Sequence, residues 1–449
     1  MASTYLTKTL TASNRKTFTV SCWVKRTKIT SQQTIFSTGN GNTGPLNFFG
    51  FNATDAITYW EYSDGSTGLF DLQGAAALRD TLAWYHIVLS VDTTQSTASN
   101  RVKFYVNGDL VTSFDSTYNT YPNQNQDLAF NQADQHAVGR YEYNNSSLFD
   151  GCISHFHFID GTAYPASTFG STDATTGEWI INTSPSVTYG TNGFFILKDG
   201  NGVTDQSGNS NNFTVGGGTL TTLQDNPSNN FCTMNILDNY YFDGTFSNVS
   251  NTVQSGNSSY TYCSSTFHVS SGKYYWEIKA DAPDSSMRVG IGSKLSTATS
   301  DNLGNDTDGE AVIYPSGATK VNNVDNPNSW SGTSWTTNDI LGFALDLDNN
   351  KLYISKNGTF MNSGNPTSGS TGTGALSITA AASTPTGAYF VAWGDNNSSS
   401  NATMSHNFGN GVFGTTAISS EGTNASGLGK FEYDVPAGYT ALCTKGLNE

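Results

Sequence analysis

Nowhere in this 449-residue chain does a helical period survive for three turns. Short runs alternating apolar and polar residues recur instead, with Gly, Asn, Asp, Ser or Thr between them roughly every eight to twelve positions. "TFTVSCWVKR", "AITYWEY", "WYHIVLSVD" and "FDGCISHFHFID" represent the first half, and "KYYWEIKA", "ILGFALDLD" and "AYFVAWGD" the second. Strands this short persist only as neighbours in sheets that bury a face, so the pattern predicts an all-β protein of two antiparallel β-sandwich domains in tandem. One local phrase is written twice, as "NRVKFYVNG" (100–108) and "NKLYISKNG" (350–358), each preceded by an apolar strand. Asn-Gly closing a strand predicts a type I′ hairpin, because both central residues need positive φ, which Asn tolerates and Gly adopts freely.

The length accommodates more than one core, a domain taking roughly 100 to 200 residues. Aromatic residues thin out at 216–227, which places a linker at 219–230 between domains at 1–218 and 231–449. A formal charge of −16 with only 20 Lys and Arg argues against a nucleic-acid partner, whose phosphates need clustered cations. The basic residues of "RKTFTVSCWVKRTK" read as a solvated strand face. No run approaches the roughly 18 apolar residues of a membrane span, and "MASTYLTKTL" lacks the apolar core of a signal peptide, so neither membrane insertion nor signal-directed export is expected. Five scattered cysteines without C-x-x-C spacing indicate neither a disulfide framework nor zinc, and Cys22 shares a strand face with Phe18, Val20 and Val24 as a core residue.

"FTVSCWVKR", "WYHIVLSVD", "RVKFYVNG" and "FDGCISHFHFIDG" resemble the strands of laminin-G-like domains of the concanavalin-A-like superfamily, and this likeness covers 1–218. "SGKYYWEIKA", "RVGIGS", "DILGFALDLDNNKLYISKNG" and "AYFVAWGD" resemble a SPRY domain over the second half. Both resemblances imply jelly-roll-type two-sheet sandwiches. The segment 189–218, with "GFFILKD", resembles the opening of a laminin-G-like domain yet arrives last, which implies a permuted first domain whose edge strand is "GFFILK". Together with "DNPSNNFCTMNILDN" and "PAGYTALCTKGL", the tandem resembles structural proteins of marine tailed bacteriophages. That resemblance implies a virion-surface protein assembled in the host cytoplasm, in multiple copies or as a homo-oligomer. Its partners would be other virion proteins and host-surface polysaccharide.

Concanavalin-A-like sandwiches also include glucanases with carboxylates spaced Glu-x-Asp-x-x-Glu, and no such string occurs here. Asp346 and Asp348 are the nearest imitation and read as hairpin residues. His155 and His157 share a strand face without a visible third metal ligand, and no Gly-x-Ser-x-Gly stands between strand and helix. No cofactor is indicated. The laminin-G resemblance leaves room for a structural calcium ion, although Asp64, Asp150 and Asp160 form no recognisable loop motif.

Sugar recognition uses aromatic faces flanked by amides and carboxylates. Candidates are Trp60 and Tyr62 in "YWEYSDG", Arg140, Tyr141 and Tyr143 in "GRYEYNN", and Asp395 and Asn396 beside Trp393 in "AWGDNN". For Trp60 and Tyr141 both burial and sugar contact stay open, whereas the alternation of Trp393 favours burial. Long polar loops of the second domain add Trp330 and Trp335 as anchors, with burial of Trp335 under its own sandwich as the competing reading. The expectation is a non-enzymatic tail-fibre, head-fibre or surface-decorating protein that binds proteins or glycans through sandwich loops. The alternatives are a polysaccharide-active glycoside hydrolase or depolymerase, and a module that only joins virion parts.

Overall fold

The computed structural model describes residues 4–39, 44–64, 67–198, 200, 202–238, 244–256, 261–294, 302–325, 333–396 and 401–448. The chain divides into two compact units, Met1–Thr222 and Leu223–Glu449. Each is built from antiparallel sheets, apart from the two-residue strand Thr440–Ala441 that pairs in parallel with Lys273–Ala282, and among the described residues helical structure is limited to short 3-10 turns.

In the first unit an eight-stranded sheet runs in the order Phe114–Asn119, Gly68–Ala77, Ala56–Tyr62, Leu46–Phe51, Gln33–Thr38, Gln135–Val138, Tyr5–Thr9, Thr214–Gly217. A six-stranded sheet runs Phe194–Ile196, Gly151–Asp160, Thr17–Arg26, Tyr85–Asp92, Val102–Val106, Asp109–Leu110. Alternation sends Phe18, Val20, Cys22 and Val24 into one core with Phe36, Phe49, Tyr59, Leu89 and Phe104. The late segment supplies two edges: Phe194–Ile196 pairs with Gly151–Asp160, and Thr214–Gly217 pairs with Tyr5–Thr9.

The "RKTFTVSCWVKRTK" strand departs from the solvated face expected of it, since Lys25 and Arg26 are both buried. Residues 161–190 fold over the outer face of the six-stranded sheet, where Phe169, Trp179 and Tyr189 cluster with Val88 and Ile159. Beneath them Trp179 Nε1 donates to His86 Nδ1 at 3.0 Å, leaving His86 Nε2 protonated to donate to Ser21 Oγ at 2.9 Å. Burial holds this imidazole neutral, with its pKa down at about 3. Arg26 is balanced by Asp55 at 2.8 Å and lies 4.2 Å above the Phe51 ring.

The second unit pairs a sheet containing Thr403–Asn407, Lys273–Ala282, Ile340–Asp346 and Lys351–Lys356 with another containing Thr261–Val269, Tyr389–Asp395 and Arg288–Gly292. Trp276, Phe343, Trp393 and Trp335 lie in the core between them. Residues 225–230, read from sequence as linker, are tied into this unit. Asp225 N–H donates to Asn410 at 2.9 Å and Asn230 N–H donates to Thr444 at 3.0 Å.

Both Asn-Gly phrases form the expected turn, with φ of +48° and +87° at Asn107 and Gly108 and of +49° and +80° at Asn357 and Gly358. The likeness extends to side chains. Asn107 Oδ1 accepts the His86 N–H and Asn357 Oδ1 accepts the Ile340 N–H, each at 2.8 Å, so each turn fastens the start of the preceding strand.

A second shared phrase, Tyr-Trp-Glu, is used in opposite senses. At 59–61 Tyr59 and Glu61 face the core and Trp60 faces out, whereas at 275–277 Trp276 enters the core and Tyr275 joins a cluster on the other face with Phe431 and Tyr439. Both glutamates nevertheless clamp a crossing segment. Glu61 accepts the Ala129 N–H at 2.9 Å, Asn47 Nδ2 at 3.3 Å and the Tyr59 hydroxyl. Glu277 accepts the Glu432 and Tyr433 N–H groups at 2.9 Å each, Asn407 Nδ2 at 3.2 Å and the Tyr275 hydroxyl at 3.2 Å.

Candidate binding face

The outward side of Ala56–Tyr62 is where sequence-named residues converge. Register puts Phe48 opposite Trp60 and Leu46 opposite Tyr62 on one flank, and Asp71 opposite Trp60 on the other. Directly opposed side chains on one face lie roughly 4.5–5.5 Å apart at Cβ, so they form one surface. Phe48 and Trp60 stack with centroids 5.4 Å apart at 6°, and Tyr62 meets Trp60 edge-on at 5.2 Å.

The loop after Gln135–Val138 adds two more rings. Ser37 pins it twice, donating to Arg140 O at 2.8 Å and accepting the Glu142 N–H at 2.9 Å. Tyr141 thereby sits edge-on to Trp60 at 5.5 Å, with Tyr143 another 5.8 Å along. Burial raises the Tyr141 phenol pKa, and the adjacent Tyr143 and Tyr62 phenols raise it further. Tyr141 is 8% exposed, while Trp60, Tyr62 and Tyr143 are half-buried, so Tyr141 forms the floor and the other three the accessible rim.

Asp71 is the polar partner of this surface. Gln73 Nε2 donates to it at 3.1 Å, and Gln73 is itself oriented by Asn52 Nδ2 at 2.7 Å. Burial raises the Asp71 pKa, the Gln73 bond opposes that, and Asp115 nearby raises it again. An ionised carboxylate offers about four acceptor positions, of which the Gln73 amide occupies at most two. The arrangement suits a ligand with an apolar ring face and hydroxyl donors on its edge.

The other predicted residues are placed differently. Arg140 is buried, pairs with Glu142 and lies 3.8 Å over the Tyr5 ring, so it props the loop from behind. Trp335 is 3% exposed inside the second unit's core and Asp395 accepts Ser255 Oγ at 2.7 Å below the surface; neither is available to a ligand. Asn396 follows as a half-buried residue, and Trp330 lies outside the described residues. Trp60 and Tyr62 stand on a strand and not on the sandwich loops expected to carry the contact. Sequence reasoning passed over Phe48, Asp71 and Gln73, although alternation within "LNFFGF" and "GLFDLQG" was the available signal.

Asp346 is buried, 3.0 Å from Lys273 and bonded by Asn349, and Asp348 accepts the Gly272 N–H at 3.1 Å, so both serve the hairpin. His157 is buried against Phe195 and bonded to the Tyr189 hydroxyl at 2.9 Å, and burial keeps its pKa well below the usual range. Asp64 serves its own turn through the Thr67 N–H, whereas Asp150 and Asp160 fasten distant segments, Asp150 accepting the Thr27 hydroxyl and Asp160 the Ser13 hydroxyl, the Asn131 amide and the Asn192 N–H. Among the described residues no group of three or more His, Cys, Asp or Glu is placed to hold a metal ion.

Residues 2–167 match the family model of the concanavalin A-like lectin/glucanases superfamily, and residues 273–392 match that of the SPRY domain. No curated protein matches the chain. Similar solved structures include the SPRY domain of human HERC1, at 16% identity over 35% of this chain and 87% of that one with a TM-score of 0.28. A heptameric SAP-like pentraxin from Limulus polyphemus matches at 14% identity over 40% and 86%, TM-score 0.29. The CBM40 of Ruminococcus gnavus IT-sialidase, bound to α2,3-sialyllactose, matches at 18% over 31% and 72%, TM-score 0.24. The chain therefore carries a concanavalin A-like sandwich domain followed by a SPRY domain.

Proposed function

We propose that this chain is a non-catalytic structural protein of a bacteriophage particle, a tail-fibre, head-fibre or surface-decorating component present in several copies. In this reading its first domain holds host-surface glycan on the Trp60 face. The observation that carries the binding role is the convergence of Trp60, Tyr62, Tyr141 and Tyr143 beside Asp71 on the outward side of one sheet. Half-buried rings there supply stacking surface at small entropic cost, and the carboxylate and amide supply orientation. The particle setting is supported by the phrases "DNPSNNFCTMNILDN" and "PAGYTALCTKGL", which resemble those of phage structural proteins.

The test has two arms. Immunogold labelling of intact particles should decorate their surface, and Trp60→Ala protein that circular dichroism shows to be folded should lose retention on immobilised glycan. Unlabelled particles would overturn the virion role. Unchanged retention by a folded Trp60→Ala protein would overturn the binding face and favour a module that only joins particle parts.

A further inference from the structure

We infer that the glycan held on the Trp60 face is a neutral one, recognised through hydroxyl groups that donate to Asp71, and that uronate, sulfated and sialylated chains are rejected. The inference rests on the glycan reading of that face. Five neighbouring strands build the surface: Phe114–Asn119, Gly68–Ala77, Ala56–Tyr62, Leu46–Phe51 and Gln33–Thr38. Their sequences, FDSTYN, GLFDLQGAAA, AITYWEY, LNFFGF and QTIFST, contain neither Lys nor Arg. The nearest basic residue from the overlying loop, Arg140, is spent on Glu142 and the Tyr5 ring.

The outward charge is negative, because Asp71 sits beside Trp60 in register and Asp115 is close enough to act on it. An anionic ligand would surrender its hydration with no cation to replace it and would face two carboxylates. A neutral pyranose avoids both costs. Its hydroxyls donate to Asp71, in the stronger class of hydrogen bond with an ionised acceptor, and its C–H face lies on the aromatic rim. Gln73 and Asn52 fix the carboxylate's orientation, so the acceptor is set before the ligand arrives.

The test is retention of the full chain on neutral glucan, mannan and galactan polymers against polyuronate, sulfated galactan and sialylated oligosaccharides, with Trp60→Ala and Asp71→Asn alongside. Asp71→Asn is nearly isosteric at a half-buried site, so it reports on recognition even if Trp60→Ala compromises folding. The expected result is binding confined to neutral chains, insensitive to salt, and weakened about tenfold by Asp71→Asn. Binding of an anionic chain that Trp60→Ala abolishes would overturn the neutral class while sparing the face. Unaltered binding of a neutral chain by Asp71→Asn would overturn the role of Asp71. Binding indifferent to Trp60→Ala, or no binding to either class, would overturn the glycan reading and this inference with it.

Discussion

Replacing Glu61 with glutamine should flatten the pH dependence of the first domain's stability. Burial lifts the Glu61 carboxyl from 4.5 to about 7, against the opposing pull of Tyr59, the Ala129 N–H and Asn47. A group that holds its proton more tightly folded than unfolded contributes stability that is fully present below the unfolded pKa and is lost as pH rises through the folded one. For Glu61 the window runs from 4.5 to about 7 and is worth about 3 kcal/mol, the domain being more stable on the acid side. When the carboxyl is protonated the Tyr59 hydroxyl can reverse its role and accept. The amide introduced by Glu61→Gln cannot titrate, and its oxygen can still receive the Ala129 N–H. Native-state hydrogen exchange read on peptides of the Thr17–Arg26 and Ala56–Tyr62 strands, at about pH 5 and about pH 8, isolates this domain from the other. Between the two conditions the wild-type domain should lose about 2–3 kcal/mol more than the Glu61→Gln domain does, since part of the window lies below about pH 5. Equal slopes would show that Glu61 is ionised throughout and that its hydrogen-bond donors outweigh burial. Glu277, also lifted to about 7 chiefly by burial, makes the same experiment available in the second domain.

Asp55→Ala should cost the first domain about 3–5 kcal/mol in denaturant unfolding, because it strands a buried Arg26 guanidinium. Arg79→Ala, which removes the partly exposed second partner of the same carboxylate, should cost less than about 1 kcal/mol; equal losses would contradict the assignment of the burden to Arg26. Gly358→Ala places a Cβ 2.5 Å from the Tyr433 ring at a φ of +80°, so about 1–3 kcal/mol of second-domain stability should disappear; an unshifted melting temperature would mean the turn relaxes freely. A fragment ending at Gly170 lacks Trp179, Tyr189 and the Phe194–Ile196 edge strand, and light scattering should find it associated. A monomeric, cooperatively melting fragment would show that the late segment is dispensable.

Much of the fold is legible because local rules decide it. Period-two alternation picks out Phe18, Val20, Cys22 and Val24 as one face, and the Asn-Gly pairs specify their own turns, since positive φ is a property of those residues wherever they stand. What alternation cannot say is which of a strand's two faces the opposite sheet will cover. Tyr-Trp-Glu occurs at 59–61 and 275–277 with the same local geometry, yet Trp60 lies on the outward face and Trp276 is buried in a core. The same limit left Trp335 open between anchor and core and hid Asp395, and both are buried. It also hid the outer side of the six-stranded sheet, where residues 161–190 pack on Val88 and Ile159. These outcomes depend on contacts between distant positions: Glu61 is clamped by a backbone group 68 residues away and Glu277 by one 155 away. The sequence by itself determined the strands, the turns and which side chains share a face. Only the tertiary structure decided which faces are core, and so brought Trp60, Tyr62, Tyr141, Tyr143 and Asp71 to one surface, because burial is settled by what packs against a strand and not by the strand.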